Sequence, residues 1–225
     1  MKHLRLSPSF VLFICLNLVM SFTLAQYGRR VGKGGLGQME LGASFLNISD
    51  FNDALEAQDY LGVNQNFFAL GIGLERFKGR MIYGGSLYNY MINQSLTNNQ
   101  LAILSYHYGS LRIGGILAQE YEQYMVYPSI GLGYGLANFR ERPSDEPLPF
   151  AHWSRGAMVD ARISAQLFAL MGAEHLVSLG IHAGYVYTLD NTWLLTDFDP
   201  DTSGISLSPK GLYIRVSLGM ARWKR

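Results

Sequence analysis

Two histidines of the sequence have hydroxyl side chains a few residues away, a pairing that nucleophilic catalysis could use. The candidate pairs are His107 with Ser105 or Ser110, and His182 with Ser178 or Thr188. A serine nucleophile needs a histidine within hydrogen-bond distance and a third group that orients the imidazole ring. No recognisable motif joins these residues, so we expect the histidines to pack and form hydrogen bonds, and we assign no catalytic residue.

Three carboxylates alternate with other residues late in the chain, at Asp197, Asp199 and Asp201. Alternating carboxylates can surround Ca²⁺. Pro200 interrupts this run, and the distal glutamate of an EF-hand is missing from the sequence. We therefore expect a solvated acidic loop and no metal site, and keep the three aspartates as the alternative metal candidate.

Six ionised side chains occupy positions inside otherwise apolar segments. They are Glu40, Glu75, Arg112, Asp160, Arg162 and Arg215, and His107 and His182 accompany them. Three acids and three bases could neutralise one another as a buried network of salt bridges and hydrogen bonds. The alternative is that they line a narrow ion path or a gate. The elements that position these side chains decide where they point.

The segments that carry the charges alternate in character with a period of two. Val159, Ile163 and Leu167 share one face of such a segment, and Asp160 and Arg162 share the other. Side chains alternate sides along a β-strand, so each segment has one apolar face and one face of glycine, polar residues and charge. Comparable apolar sets begin at residues 39, 68, 130, 177 and 212.

This periodicity predicts eight β-strands. Their ranges are 36–48, 64–77, 80–92, 99–117, 124–139, 155–171, 175–189 and 209–223. The fourth strand changes phase near Gly109, where we expect a β-bulge. Most strands reach the 9 to 11 residues that a tilted strand needs to cross a bilayer. Short connections alternate with longer polar ones at 49–63, 93–98, 140–154 and 190–208. The fold class is therefore all-β, an eight-stranded antiparallel up-and-down transmembrane barrel.

In such a barrel the apolar faces must point outward and the charges into the lumen. A basic residue that faces lipid at the bilayer midplane costs about 2 to 4 kcal/mol. A soluble barrel predicts the reverse arrangement. We also expect aromatic girdles at both interfaces. Their members would be Tyr88, Tyr90, Trp153, Tyr185 and Tyr187 at the long-loop end, and Phe77, Tyr124, Tyr127 and Trp223 at the short-turn end.

The start of the chain has the pattern of a secretory signal peptide. A basic stretch precedes a short apolar run, and small residues lead to Ala25. We expect a signal peptide at 1–25, a periplasmic segment at 26–35 and the barrel at 36–225. Cleavage would remove Cys15, which is the single cysteine of the sequence.

Composition excludes several classes of protein. Hydrophobic residues make up 48% of the 225 residues and charged residues 16%, which argues against a disordered chain. Lys and Arg number 18 against 17 Asp and Glu, so the basic surplus that nucleic-acid binding needs is missing. One cysteine cannot build a disulfide framework.

The first long connection departs from period two. Residues 49–61 form a helix-like run in which Ser49 or Asp50 could act as the N-cap. Phe51, Ala54, Leu55 and Gln58 would share one face. We expect a short helix that plugs the barrel mouth, with a helix that binds a partner as the alternative.

Two strands carry a resemblance to a known family. They are 66–73, Asn-Phe-Phe-Ala-Leu-Gly-Ile-Gly, and 127–135, Tyr-Pro-Ser-Ile-Gly-Leu-Gly-Tyr-Gly. The chain resembles the small eight-stranded outer-membrane barrels of Gram-negative bacteria (the OmpA, OmpX and OmpW type), and is most similar to the outer-membrane β-barrel family of Bacteroidetes. The family usually ends in an aromatic residue, whereas Lys224 and Arg225 follow Trp223 here.

The resemblance implies a location in the outer membrane and a non-enzymatic, structural role, with long loops that contact surfaces. The expected partners are outer-membrane lipid or lipopolysaccharide, and the barrel-assembly machinery during insertion. We expect a monomer that binds no nucleic acid and no cofactor. A small-solute channel or transporter and, behind it, a lipid-modifying enzyme are the alternatives, because one fold hosts many functions.

Overall fold

The computed structural model describes residues 33–57, 61–97, 100–120, 123–142, 150–170, 175–189 and 207–224. The predicted signal peptide and the Asp197, Asp199 and Asp201 run lie outside these residues. The elements in chain order are β1 (Lys33–Asn47), α1 (Ser49–Glu56), β2 (Asn66–Lys78), β3 (Met81–Thr97), β4 (Gln100–Gly115), β5 (Ala118–Glu120), β6 (Tyr124–Arg142), β7 (Phe150–Leu170), β8 (His175–Thr188) and β9 (Lys210–Lys224).

Eight long antiparallel strands form a closed barrel, as predicted. The eight long strands pair in chain order, and β1 pairs with β9. The pairing of β4 with β6 closes the ring, and the three-residue β5 between them in the chain pairs with β6 only. The β2–β3 turn is tight because Gly79 adopts φ 62°, a conformation that glycine takes without a steric penalty. In the described part of the chain, no helix is long and apolar enough to cross a membrane.

Several strands begin or end at residues other than those predicted. β1 begins at Lys33, inside the segment that we expected to precede the barrel. β3 runs to Thr97 and β4 begins at Gln100, so the predicted loop at 93–98 is mostly strand. Ladder hydrogen bonds continue through these polar residues because the neighbouring strand offers partners there.

The bulge lies elsewhere than predicted. Pairing runs without interruption through Gly109, and the register shifts on β3 between Tyr90 and Asn93. The phase of β4 is therefore continuous, and Tyr106 and Tyr108 are buried on the same face as Arg112. Apolar tyrosine rings on the inner face made the sequence look as if the strand had changed phase.

The two faces of the barrel wall differ in character. All six predicted apolar sets lie on the outer face, where Leu132 is 66% exposed, Ile163 60% and Leu218 62%. The inner face carries buried polar and aromatic side chains. Glycine at position 71 is required on that face, because a Cβ there would meet the ring of Tyr88.

The girdle prediction is wrong for five of its nine residues. Trp153, Tyr185, Tyr187 and Tyr124 are exposed on the outer face. The other five are buried inside the barrel: Tyr88, Tyr90, Phe77, Tyr127 and Trp223. Each of these five residues lies at an inward position of its strand. An interfacial girdle and a polar lumen both accept amphipathic aromatic rings, so the residue type alone does not distinguish the two locations.

Candidate functional site

The interior of the barrel is filled at three levels. Carboxylates, guanidinium groups and their partners occupy the middle, which we term the central network. Apolar side chains close both ends. The mouth cluster includes Leu46, Ile48, Phe51, Leu55, Phe67, Leu104, Tyr106 and Phe139 at the end where α1 lies. The base cluster includes Leu36, Phe77, Ile82, Ile116, Met125, Phe168, Leu176 and Trp223 at the short-turn end.

Arg162 is the centre of the central network. Its guanidinium lies 3.0 Å from the Oε1 atom of Glu40 and forms a second ion pair with Glu75. These partners belong to β1 and β2, whereas Arg162 belongs to β7 on the other side of the barrel. The arginine therefore spans the lumen and connects β7 to β1 and β2, two strands with which β7 forms no pairing.

Asp160 forms a second centre two residues before Arg162 on the same face of β7. Arg112 donates to its Oδ2 atom at 2.6 Å, and the Tyr213 hydroxyl donates to its Oδ1 atom at 2.5 Å. The Tyr108 hydroxyl donates to the same carboxylate at 3.2 Å. Asp160 is fully buried, so these donors replace the water that an ionised carboxylate would otherwise need.

Arg215 is held mainly by aromatic rings. Its guanidinium carbon lies 3.8 Å from the ring centre of Tyr88 and 3.7 Å from that of Tyr213. It donates hydrogen bonds to the hydroxyls of Tyr90 at 2.8 Å and Tyr108 at 3.1 Å. Cation–π attraction grows when the cation is desolvated, which is the condition of a residue only 1% exposed.

Tyrosine hydroxyls provide further hydrogen bonds to the carboxylates of the network. Tyr88 donates to the Oε2 atom of Glu40 at 2.7 Å, and Tyr127 donates to the Oε2 atom of Glu75 at 2.5 Å. None of the tyrosines of the network was expected there from the sequence. The alternation of side chains along a strand indicates two of them, because residues an even number of positions apart share a face. Tyr213 lies two residues from Arg215, and Tyr108 lies four from Arg112.

His182 is buried among hydroxyl and amide groups. Its Nδ1 atom lies 2.9 Å from the hydroxyl of Ser164, and its Nε2 atom 2.9 Å from that of Ser217. These partners are not Ser178 or Thr188, the candidates from the sequence. A serine contacts each ring nitrogen, so the orienting carboxylate of a catalytic triad has no nitrogen left to bind.

The prediction that His107 points into the lumen is wrong. It is exposed on the outer face, whereas Ser110 is buried inside the barrel. The other seven residues of the predicted lumen set are buried in the interior, and six of them form the ion pairs and hydrogen bonds of the central network. His107 was misplaced because the supposed phase change at Gly109 inverted the first half of β4.

The helix α1 is shorter than predicted and covers the mouth. Phe51 and Leu55 are buried, and the Phe51 ring meets Phe139 edge to face at 5.7 Å. Asn52 donates to the carbonyl of Val63 at 2.8 Å and accepts from its amide at 3.0 Å. The predicted capping is wrong: Ile48 is the N-cap, without a side-chain bond. Gln58 lies outside the described residues.

Among the described residues, no group of three His, Cys, Asp or Glu side chains is arranged to hold a metal ion. The chemistry that the interior supports is mutual neutralisation of charge. Within the described part of the interior, three carboxylates accompany three guanidinium groups, and most of them are in contact.

Several solved structures are similar to this chain. Neisserial surface protein A (NspA) has 10% identity and a TM-score of 0.46, over 85% of this chain and 99% of that chain. Ail, the attachment invasion locus protein of Yersinia pestis, has 12% identity and a TM-score of 0.44, over 86% and 99%. A major outer membrane protein from Thermus thermophilus has 11% identity and a TM-score of 0.42, over 84% and 99%. No family model and no curated protein matches the chain.

Proposed function

We propose that the chain is an outer-membrane β-barrel with a filled, non-conducting lumen and a non-enzymatic role as a structural and surface-contact protein. The observation that carries this proposal is the separation of the two faces: large apolar side chains outside, buried ion pairs inside. The proposal also includes export by a cleaved signal peptide at 1–25.

The outer face supports a lipid environment. Leu74 is 70% exposed and Leu111 77%, and they stand among many other exposed Leu, Ile, Val and Met side chains around the barrel. An apolar surface of this extent is rare on soluble monomers. Strands of 13 to 21 residues in the barrel exceed the 9 to 11 that a tilted strand needs to cross a bilayer.

The interior supports a closed barrel. Eight strands enclose a lumen that is just wide enough to be filled by side chains. Here the mouth cluster, the central network and the base cluster follow one another along the axis. A hydrated ion would have to displace the Arg162 ion pairs and both apolar ends, so we expect no open conduction path.

The mouth supports a role in surface contact. The helix α1 is fixed over the barrel mouth by the hydrogen bonds between Asn52 and Val63 and by the buried Phe51. A fixed surface presents its residues to a partner at low conformational cost. Lipopolysaccharide, other surfaces and partner proteins are the contacts that we propose for it.

The membrane part of the proposal is tested by cell fractionation combined with gel mobility before and after boiling. We expect the chain in the outer-membrane fraction, with different mobilities for the folded and boiled forms. Sequencing of the mature N-terminus should begin at Gln26. Recovery in a soluble fraction with one mobility would overturn the proposal.

The closed lumen is tested by conductance in planar bilayers. We expect no stable unit conductance from the folded wild-type chain. Discrete channel openings would favour the small-solute channel instead. Cleavage of lipid acyl chains that is lost in His182→Gln would favour the enzyme.

A further inference from the structure

Among the described residues, a group of basic side chains lies at the short-turn end of the barrel, on β1, β2 and β9. Arg76 on β2 and Arg222 on β9 are both exposed and both pair with Gly35 of β1. Two positions further toward the end of β1, Lys33 pairs with Lys78 and with Lys224. We term Arg76, Arg222, Lys33 and Lys78 the basic patch, with Lys224 in register beside it.

The pairing register sets the dimensions of the patch. Neighbouring strands lie about 4.8 Å apart, so the Cα atoms of Arg76 and Arg222 are separated by about 10 Å, with Gly35 between them. The lysines start about 7 Å further along the strands. Long flexible side chains at these positions can converge on one small anion above Gly35, where the wall has no side chain.

Like charges in such close register make this part of the outer face strongly positive. Lysines directly opposite each other destabilise a strand pair, and Lys33 has a lysine opposite it on both sides. The opposite wall at the same end is different. Its described exposed residues there include Ile113, Tyr124 and Leu167, so the basic patch stands out from this wall by its charge.

The apolar surface begins immediately beside the patch. Leu74 and Met220 are exposed and both pair with Gly37, two residues from Gly35 on the same face of β1. An amphiphile with an anionic head and an acyl chain matches this order of cations and then apolar groups within about 7 Å. A soluble acidic partner would have no use for the apolar part.

We infer that this sector binds an anionic phospholipid of the leaflet at the short-turn end, with its phosphate on the basic patch and an acyl chain along Gly37 between Leu74 and Met220. Arginine favours phosphate through paired N–H donors, and basic residues near a membrane surface attract anionic lipid. The inference rests on the proposed membrane location.

Native mass spectrometry of the full mature chain in detergent, titrated with phosphatidylglycerol or phosphatidylcholine, tests the inference. We expect phosphatidylglycerol to bind more tightly than phosphatidylcholine. Arg76→Gln with Arg222→Gln should weaken it about 30-fold, from the usual contribution of two basic residues. Arg76→Lys with Arg222→Lys should retain most of the affinity.

Arg140→Gln with Arg155→Gln is the matched control, since it removes the same charge at the opposite end of the barrel. Equal loss in the control, or no loss in the Arg76 and Arg222 variant, would overturn the inference. Displacement of phosphatidylglycerol by inorganic phosphate would assign the patch to a free anion and also overturn it. Each variant is first shown to fold by its heat-modifiable mobility. A wild-type chain that fails there refutes the membrane location, a failure distinct from that of the lipid site.

Discussion

The inner and outer faces of the barrel wall are built by the same strands, yet they follow opposite rules. On β7, Arg162 is buried and binds two carboxylates. The next residue, Ile163, is 60% exposed on the outer face. The inner face accepts charge because the partners of each charge are already in place. The outer face of the apolar band accepts none.

Burial therefore does not indicate an apolar side chain in this molecule. The least exposed side chains include Arg215 and Asp160, and the most exposed include Leu111 and Leu74. A water-soluble domain shows the opposite trend. A single step of register would place every charge in lipid, so the side-chain period of two fixes the pairing strongly.

The largest expected effect comes from breaking the inner face. Arg162→Leu leaves the buried carboxylates of Glu40 and Glu75 without their shared cation, and we expect a loss of about 3 to 5 kcal/mol in the free energy of unfolding. Denaturant unfolding in lipid vesicles measures it. Arg155→Leu on the exposed face of the same strand is the control, and an equal loss there would refute the special role of Arg162.

Placing a charge on the outer face should cost slightly less. Ile163→Arg puts a guanidinium toward the middle of the apolar band, with an expected loss of about 2 to 4 kcal/mol. Ala169→Arg, on the same face near the end of β7, should lose only about 0 to 1 kcal/mol because the side chain reaches the interface. Equal losses at the two positions would contradict a lipid-facing surface.

Loss of a single hydroxyl should also affect the inner face more than the outer face. Tyr213→Phe removes the hydrogen bond to Asp160 and should cost about 1 to 3 kcal/mol, since the carboxylate is buried. Tyr134→Phe on the exposed outer face should change stability little. The same unfolding measurement serves both variants, and a larger effect at Tyr134 would reverse the assigned roles.

The smallest effect on the whole barrel is expected at the mouth. Asn52→Ala removes both hydrogen bonds to Val63 and should speed amide exchange at 61–66 by about 5- to 10-fold, a loss of about 1 kcal/mol in local opening. Barrel unfolding should stay unchanged. Asp53→Ala, at an exposed position of α1, is the control. Unaltered exchange in Asn52→Ala would show that Phe51 and Leu55 alone hold the helix.

The barrel itself was predictable from the sequence because period-two alternation of large apolar residues leaves few other folds. The six ionised lumen residues were predictable for the same reason. The contacts among them were not, since Arg162 meets Glu40 across 122 positions of the chain. Aromatic residues were ambiguous: Tyr88 and Tyr90 fit a girdle and the lumen equally, and only pairing with charged neighbours distinguishes them.

His107 shows how one local misreading propagates. Buried tyrosines at 106 and 108 imitated an outward apolar face, and the inferred bulge at Gly109 then moved the histidine to the wrong side. His107 lies five residues before Arg112, and side chains an odd number of positions apart point to opposite faces of a regular strand. The N-cap of α1 was missed for a different reason, because Ile48 makes no side-chain capping bond that a sequence pattern could reveal.

The environment of the outer face can be measured directly. Nitroxide labels on Leu132→Cys, Ile163→Cys and Ile214→Cys, with the chain folded in vesicles, report collisions with lipid-soluble oxygen and with a water-soluble nickel chelate. We predict that oxygen collisions dominate at all three positions, because these side chains stand in acyl chains. Dominant nickel collisions at these positions would contradict it.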